Sequence, residues 1–236
     1  MSGIRGLVFD KDGTLFDFAA TWEAWAKGLL KRLGGNDLAR VQRLGQAIEF
    51  DMQTGKFAPT SVVIAGTAGE VADALVPHVP ELPQARLLDL INEEAESAPQ
   101  HPAVPLPPLL GLLRARGLRL GVATNDAEAP ARAHLAQAGV TDLFDFIAGF
   151  DSGHGGKPAP GQLLAFAQAV GLPPAQIVMV GDSTHDLQAG RAAGMTTIGV
   201  LTGPARRETL APLADAVLPD IGHLPDWLDA RDTDPI

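Results

Sequence analysis

A chain of 236 residues with 46% hydrophobic side chains is long enough for one core with an insertion, or for a large and a small domain. Its 26 glycines and 19 prolines are too few for a collagen-like or low-complexity chain. A net charge of −10 and a pI near 4.9 argue against nucleic acid as a partner, which needs a basic face, and the absence of cysteine excludes disulfides, thiolate metal sites and a cysteine nucleophile. The first ten residues lack the basic start and long apolar stretch of a secretory signal, and no apolar run approaches the ~18 residues of a membrane span. The chain is expected to be a soluble, cytoplasmic monomer or homodimer with no membrane partner.

In chain order, Ile4–Phe9 is a short apolar run that predicts a buried strand, and Asp10-Lys11-Asp12-Gly13 predicts the turn after it. Residues 17–100 hold no convincing strand. Trp22, Trp25, Leu29, Leu30 and Leu33 recur at helical spacing, and Leu38–Met52, Ser61–Val76 and Gln84–Ala98 also read as helices. An insertion of roughly 80 residues is far longer than an ordinary strand-to-helix loop, so it predicts a small second domain lying over the sheet. The expected division is a core of residues 1–16 and 100–236 with a helical domain of residues 17–99. Five prolines between Pro99 and Pro108 suggest a stiff return linker.

Beyond it, predicted helices Leu106–Arg116, Ala129–Ala138, Pro160–Val170 and His185–Ala193 alternate with predicted strands Leu118–Ala123, Phe146–Ala148, Ile177–Val180 and Thr197–Val200. That alternation implies right-handed βαβ units, hence an α/β fold with a doubly wound parallel sheet.

In such a sheet, ligands bind beyond the carboxyl ends of the strands. The residues just past those ends are Asp10, Asp12 and Gly13, then Thr124 and Asn125, then Lys157-Pro158, then Gly181, Asp182 and Asp186. Several carboxylates without cysteine or paired histidines suit a hard, oxygen-preferring cation such as Mg²⁺, and Mg²⁺ favours a phosphate substrate. Thr124 and Lys157 are suited to phosphate oxygens. One carboxylate can attack phosphorus, and a second, two residues away, can serve as acid and then base. A dianionic phosphate among these carboxylates leaves negative charge in excess even with Lys157 present. At ~4 Å, each unscreened like-charge pair costs roughly 4 kcal/mol at an effective dielectric near 20. Activity is therefore expected to require a divalent cation, helped by backbone N–H groups in the turn at residues 11–13.

The motifs resemble those of the haloacid dehalogenase (HAD) superfamily of phosphatases. They stand here as Leu7-Val8-Phe9-Asp10-Lys11-Asp12-Gly13-Thr14, Gly121-Val122-Ala123-Thr124, Gly156-Lys157-Pro158 and Gly181-Asp182-Ser183-Thr184-His185-Asp186. The resemblance implies a Rossmann-like core with an α-helical cap inserted after the first motif, as in the subgroup containing phosphoglycolate phosphatases. It implies an Mg²⁺-dependent phosphomonoesterase that forms an aspartyl-phosphate on a small, phosphoglycolate-like ester. In that pattern Asp10 is nucleophile and metal ligand, and Asp12 is general acid/base with its carbonyl on the metal. Asp182 and Asp186 are metal ligands. Thr124, Asn125 and Lys157 hold the phosphoryl group. Two other readings stand beside it: a phosphomutase of the β-phosphoglucomutase type on the same scaffold, and, from another class, a non-enzymatic phosphoacceptor signalling module that also combines acidic residues, threonine and lysine on a parallel sheet.

Other residues have plainer readings. Lys11 stands where the family often has an apolar residue, and side-chain alternation is expected to turn it away from the carboxylates beside it. Trp22 and Trp25 read as core of the helical insertion, and His185 as a helix-surface residue. Lys56, Arg40 and Arg43 are candidate cations for a substrate carboxylate.

Overall fold

The computed structural model describes residues 3–233. Strand β1, Gly6–Phe9, is buried on both faces, which is why its sequence is continuously apolar. The insertion follows. Helix α1, Phe18–Gly34, starts where the Asp17 carboxylate accepts the Ala20 N–H at 2.8 Å. Asp37 caps α2, Leu38–Ala47, in the same way. Then come β2, Phe50–Asp51, β3, Lys56–Phe57, α3, Val62–Ala65, α4, Ala68–Leu75, and α5, Gln84–Glu96. These elements share a hydrophobic cluster that includes Trp25, Leu29, Leu44, Leu75 and Leu87.

Three expectations for this segment are corrected. The helix predicted to run to Met52 ends at Ala47, and the region does contain strands: β2 and β3 form an antiparallel hairpin. Glu49 has a positive φ of 54°, which ends helical geometry, and the Asp51 carboxylate accepts from Gln53 N and Thr54 Oγ1 to shape the turn. Phe50 and Phe57 then stack across the strands at 4.8 Å. The helix predicted over 61–76 is two helices. Gly66 is extended, and Thr67 opens α4 with a capping box completed by Glu70.

The remaining elements alternate: α6 (Leu106–Ala115), β4 (Arg119–Ala123), α7 (Glu128–Gln137), β5 (Phe146–Ala148), α8 (Gly161–Val170), β6 (Ile177–Gly181), α9 (Thr184–Ala193), β7 (Thr196–Val200), α10 (Arg207–Leu210), β8 (Ala216–Leu218) and α11 (Leu224–Thr233). The sheet order is β5-β4-β1-β6-β7-β8, and every neighbouring pair is parallel. The sequence reading missed β8, a three-residue edge strand too short to show periodicity.

Odd-numbered Leu7 and Phe9 pack on one face with Leu110, Leu113 and Leu224, while Val8 packs on the other with Phe166 and Met179. Each fully buried side chain of this size contributes about 1.5–3 kcal/mol. The chain leaves β1 and returns to β4 on one side and β6 on the other, so the carboxyl ends of these three strands lie together at a topological switch point. Among the described residues, no helix is long and apolar enough to cross a membrane.

Candidate active site

Asp10 follows β1, and its N–H extends the ladder to Val180 O at 2.8 Å, which fixes the residue beside the end of β6. The chain then turns tightly: Leu15 and Phe16 N–H both reach Lys11 O, and Gly13 has φ of 83°. Gly13 also has no room for a side chain, because a Cβ there would lie 2.4 Å from Asp182 Oδ2. A Cβ on Gly203, in the loop after β7, would lie closer still to the same oxygen. Sequence reasoning did not single out Gly203; a lone loop glycine carries no signal of such an approach.

The buried Lys157 ammonium donates to Asp10 Oδ1 at 2.6 Å, Asp186 Oδ1 at 2.6 Å and Ala123 O at 2.7 Å, so all three of its protons have acceptors. Asp186 is also the third residue of a capping box, in which its Oδ2 accepts from Ser183 N and Oγ and thereby orients the carboxylate at the start of α9. Carboxylate oxygens of Asp10, Asp182 and Asp186 lie within 4.8 Å of one another, and all three residues are buried. Burial pushes the Asp10 carboxyl up to about 7. The Lys157 ammonium works against that shift, while Asp186 and Asp12 add to it. Burial, then the neighbouring Asp10 and Asp186, also raise Asp182 well above the usual carboxylate range. Three converging hard oxygen donors with one ammonium among them fit a hexacoordinate cation such as Mg²⁺ in both ligand type and charge.

Thr124 follows β4, and its hydroxyl accepts the Asp126 N–H at 3.1 Å. Asn125 Oδ1 accepts from Lys157 N at 2.8 Å, and its amide donates to Lys157 O at 2.9 Å and to Ala65 O, in the insertion, at 2.8 Å. The side chain thus grips the Lys157 backbone on both sides. His185, read from sequence as a surface residue, instead lines the cavity, with Nδ1 3.2 Å from the same Ala65 carbonyl. The structure brings Asp10, Asp12, Thr124, Asn125, Lys157, Asp182 and Asp186 around one cavity of about 50 Å³, closed from above by α1, α3, α4 and α5.

Lys11 corrects the expectation drawn from alternation. It is fully buried, and its ammonium lies 2.8 Å from Asp12 Oδ2, 3.1 Å from Asp126 Oδ2, 2.9 Å from His134 Nδ1 and 5.6 Å from the centre of the Trp22 ring. Residue 11 lies past the strand, so the turn and not the pleat sets its direction. Burial lowers the Lys11 pKa, but Asp12 and Asp126 outweigh it and hold the lysine above its usual value. An ammonium only donates, so His134 Nδ1 accepts, and the imidazole proton sits on Nε2, where it is given to Ala95 O at 2.7 Å. No sequence spacing links residues 11, 126 and 134; only the fold joins them.

Burial, and then the Lys11 charge, push His134 down from 6.5 to about 4. A depressed histidine contributes stability that is lost as pH falls, because the unfolded chain takes up a proton that the folded chain refuses. Between pH 7.5 and 5 the wild type is expected to lose about 2 kcal/mol relative to His134→Gln. Paired thermal denaturation curves check this, and parallel losses in the two proteins contradict it.

A family model for haloacid dehalogenase-like hydrolases matches residues 4–194. The chain belongs to this family. Among curated relatives of the family, a phosphoglycolate phosphatase of Rhodospirillum rubrum is 41% identical over 120 residues, 51% of this chain and 50% of the relative. The chain thus spans about half the length of the curated relatives it matches. Solved structures share the fold, two among them as follows. One, described as a predicted phosphoglycolate phosphatase from Haemophilus somnus, has a TM-score of 0.73 at 20% identity, covering 96% of this chain and 99% of that one. The other, a β-phosphoglucomutase from Clostridium difficile, has a TM-score of 0.69 at 17% identity, covering 98% and 100%.

Proposed function

We propose that this protein is a Mg²⁺-dependent phosphomonoesterase acting on a small phosphorylated metabolite through an aspartyl-phosphate, with residues 17–99 as its cap and residues 1–16 and 100–236 as its catalytic core. The observation that carries the reading is the Lys157 bridge between Asp10 and Asp186 at the mouth of the sheet, with Asp182 beside it and Asp12 on the same turn as Asp10. Lys157 fixes one oxygen of Asp10 and so aims the carboxylate. Asp10 attacks phosphorus, the bond to the departing alcohol breaks, and Asp12 gives that alcohol its proton. Asp12 then takes a proton from water as the water oxygen attacks the phosphoryl group, and phosphate leaves Asp10.

Thr124 and Lys157 donate to phosphoryl oxygens, and Asn125 holds the Lys157 backbone in register. Asp10, Asp182, Asp186 and the Asp12 carbonyl would hold Mg²⁺, which would supply the positive charge that lets an anionic nucleophile meet an anionic ester. The insertion closes over the cavity and excludes bulk water.

Purified protein with Mg²⁺ is expected to release phosphate continuously from p-nitrophenyl phosphate. Excess EDTA should reduce release to background, and added Mg²⁺ should restore it. Phosphate release that is indifferent to EDTA contradicts the metal assignment. A single burst without turnover favours a phosphoacceptor. The names of the relatives make 2-phosphoglycolate the first natural ester to assay.

A further inference from the structure

The side of the cavity facing the phosphoryl site is charged, but the side facing the alcohol is not. Trp22, Trp25, Val63, Ile64, Val71 and Ile91 form that side, all contributed by the insertion. Lys157 is the one lysine or arginine among the described lining residues, and it stands at the phosphoryl end of the cavity, where it bridges Asp10 and Asp186. Arg40, Arg43 and Lys56, which the sequence offered as partners for a substrate carboxylate, do not line the cavity, and Arg40 pairs with Glu81. Lys11 lies behind the lining and already faces two carboxylates. His185 lines the cavity, but its Nδ1 is directed to Ala65 O. A carboxylate on the alcohol would therefore enter an apolar compartment, next to Asp10, Asp12 and Asp182, without a lysine or arginine of its own. A buried charge in that position is strongly disfavoured.

On the same side, the Thr67 hydroxyl is paired with Glu70, which leaves the two indoles as polar groups to account for. The Trp25 indole N–H is bonded to Ile91 O at 3.2 Å, whereas the Trp22 indole N–H is buried and has no acceptor among the described residues. Trp22 is 9% exposed, and its ring is fixed by Trp25, edge-on at 5.1 Å, and by the Lys11 ammonium 5.6 Å from its centre. Native proteins rarely leave such a donor unpaired, and where one borders a ligand cavity the ligand is its natural acceptor.

We propose that the leaving alcohol is small and uncharged, with an apolar body and an oxygen that accepts the Trp22 indole N–H. This rests on the phosphomonoesterase reading and departs from the glycolate carboxylate in the names of the relatives.

The test measures kcat/KM, with Mg²⁺ present, for 2-phosphoglycolate, its amide (the phosphate ester of glycolamide) and ethyl phosphate. The first two differ in charge at nearly constant size, and the third lacks the acceptor. The amide is expected to exceed 2-phosphoglycolate by on the order of 10–100-fold and to exceed ethyl phosphate by about tenfold. In Trp22→Phe, the preference for the amide over ethyl phosphate should shrink toward unity, mainly through KM. A purely structural role for Trp22 would lower both esters together. The proposal is overturned if 2-phosphoglycolate is hydrolysed as well as its amide, or if Trp22→Phe leaves the amide/ethyl ratio unchanged. Hydrolysis of none of the three, nor of p-nitrophenyl phosphate, would overturn the phosphatase reading itself and this inference with it.

Discussion

Asp10→Asn is expected to lower turnover by on the order of 10⁴–10⁶-fold with Mg²⁺ present, the scale on which removal of a covalent nucleophile acts. The amide is nearly isosteric, and its carbonyl still accepts from Lys157, so the geometry at 2.6 Å is largely retained while nucleophilicity and the negative charge are lost. Stability is expected to move the other way. Asp10 is raised to about 7 in the folded protein, so its ionised form is disfavoured there. A carboxyl raised on folding contributes stability at low pH that is lost as pH rises through about 7. At pH 8 without metal, the neutral asparagine removes that loss, and the variant should melt at or above the wild-type temperature. Phosphate release and thermal denaturation on one preparation check both halves. Near-normal turnover would exclude covalent catalysis by Asp10.

Lys157→Met is expected to damage activity and stability together. The substitution removes three hydrogen bonds and leaves Asp10 and Asp186 buried without their cation. Removing one partner of a buried ion pair costs about 3–5 kcal/mol, and loss of a donor to the phosphoryl group costs on the order of 10²–10³-fold in turnover. At roughly 2–4 °C per kcal/mol for a chain of this size, the melting temperature falls by about 6–20 °C. The loss should be smaller at pH 5, where a proton can neutralise one carboxylate in place of the lysine. A double mutant separates charge from packing. Asp10→Asn should stabilise the Lys157→Met background more than it stabilises wild type, because it now relieves repulsion without breaking a pair. Additive changes would show that the ion pair is not the cause.

The core was legible because its signals are local. Each of its longer strands is a run of apolar residues, and glycines at 117, 139, 171 and 194 punctuate the helices between them. The residues at the strand ends could be listed before the sheet order was known, since the carboxyl end of a parallel strand is where chemistry collects. The insertion was legible in size and helical character but not in detail. Its hairpin rests on a two-residue strand pair, which shows no alternation, and the break at Gly66 depended on weighing Thr67 and Glu70 as a helix start.

Of the polar group behind Asp12, only Lys11 stood out in the sequence, and its direction did not. Lys11, Asp126 and His134 acquire their roles from a turn and two separate loop and helix positions. Asp126 and His134 looked ordinary alone. The same holds for Trp22, whose spacing announced a core residue, which it is, but not its unpaired donor.

The carbonyl of Ala65 has two lone pairs, and both are engaged from across the cleft, one by Asn125 and one by His185. That single oxygen is a latch. Any outward swing of the α3–α4 corner must release both donors at once, and one of them sits on the residue that steadies the Lys157 backbone. Opening at that corner and the alignment of the lysine are thereby mechanically linked, because the same Asn125 side chain holds both Ala65 O and the Lys157 backbone.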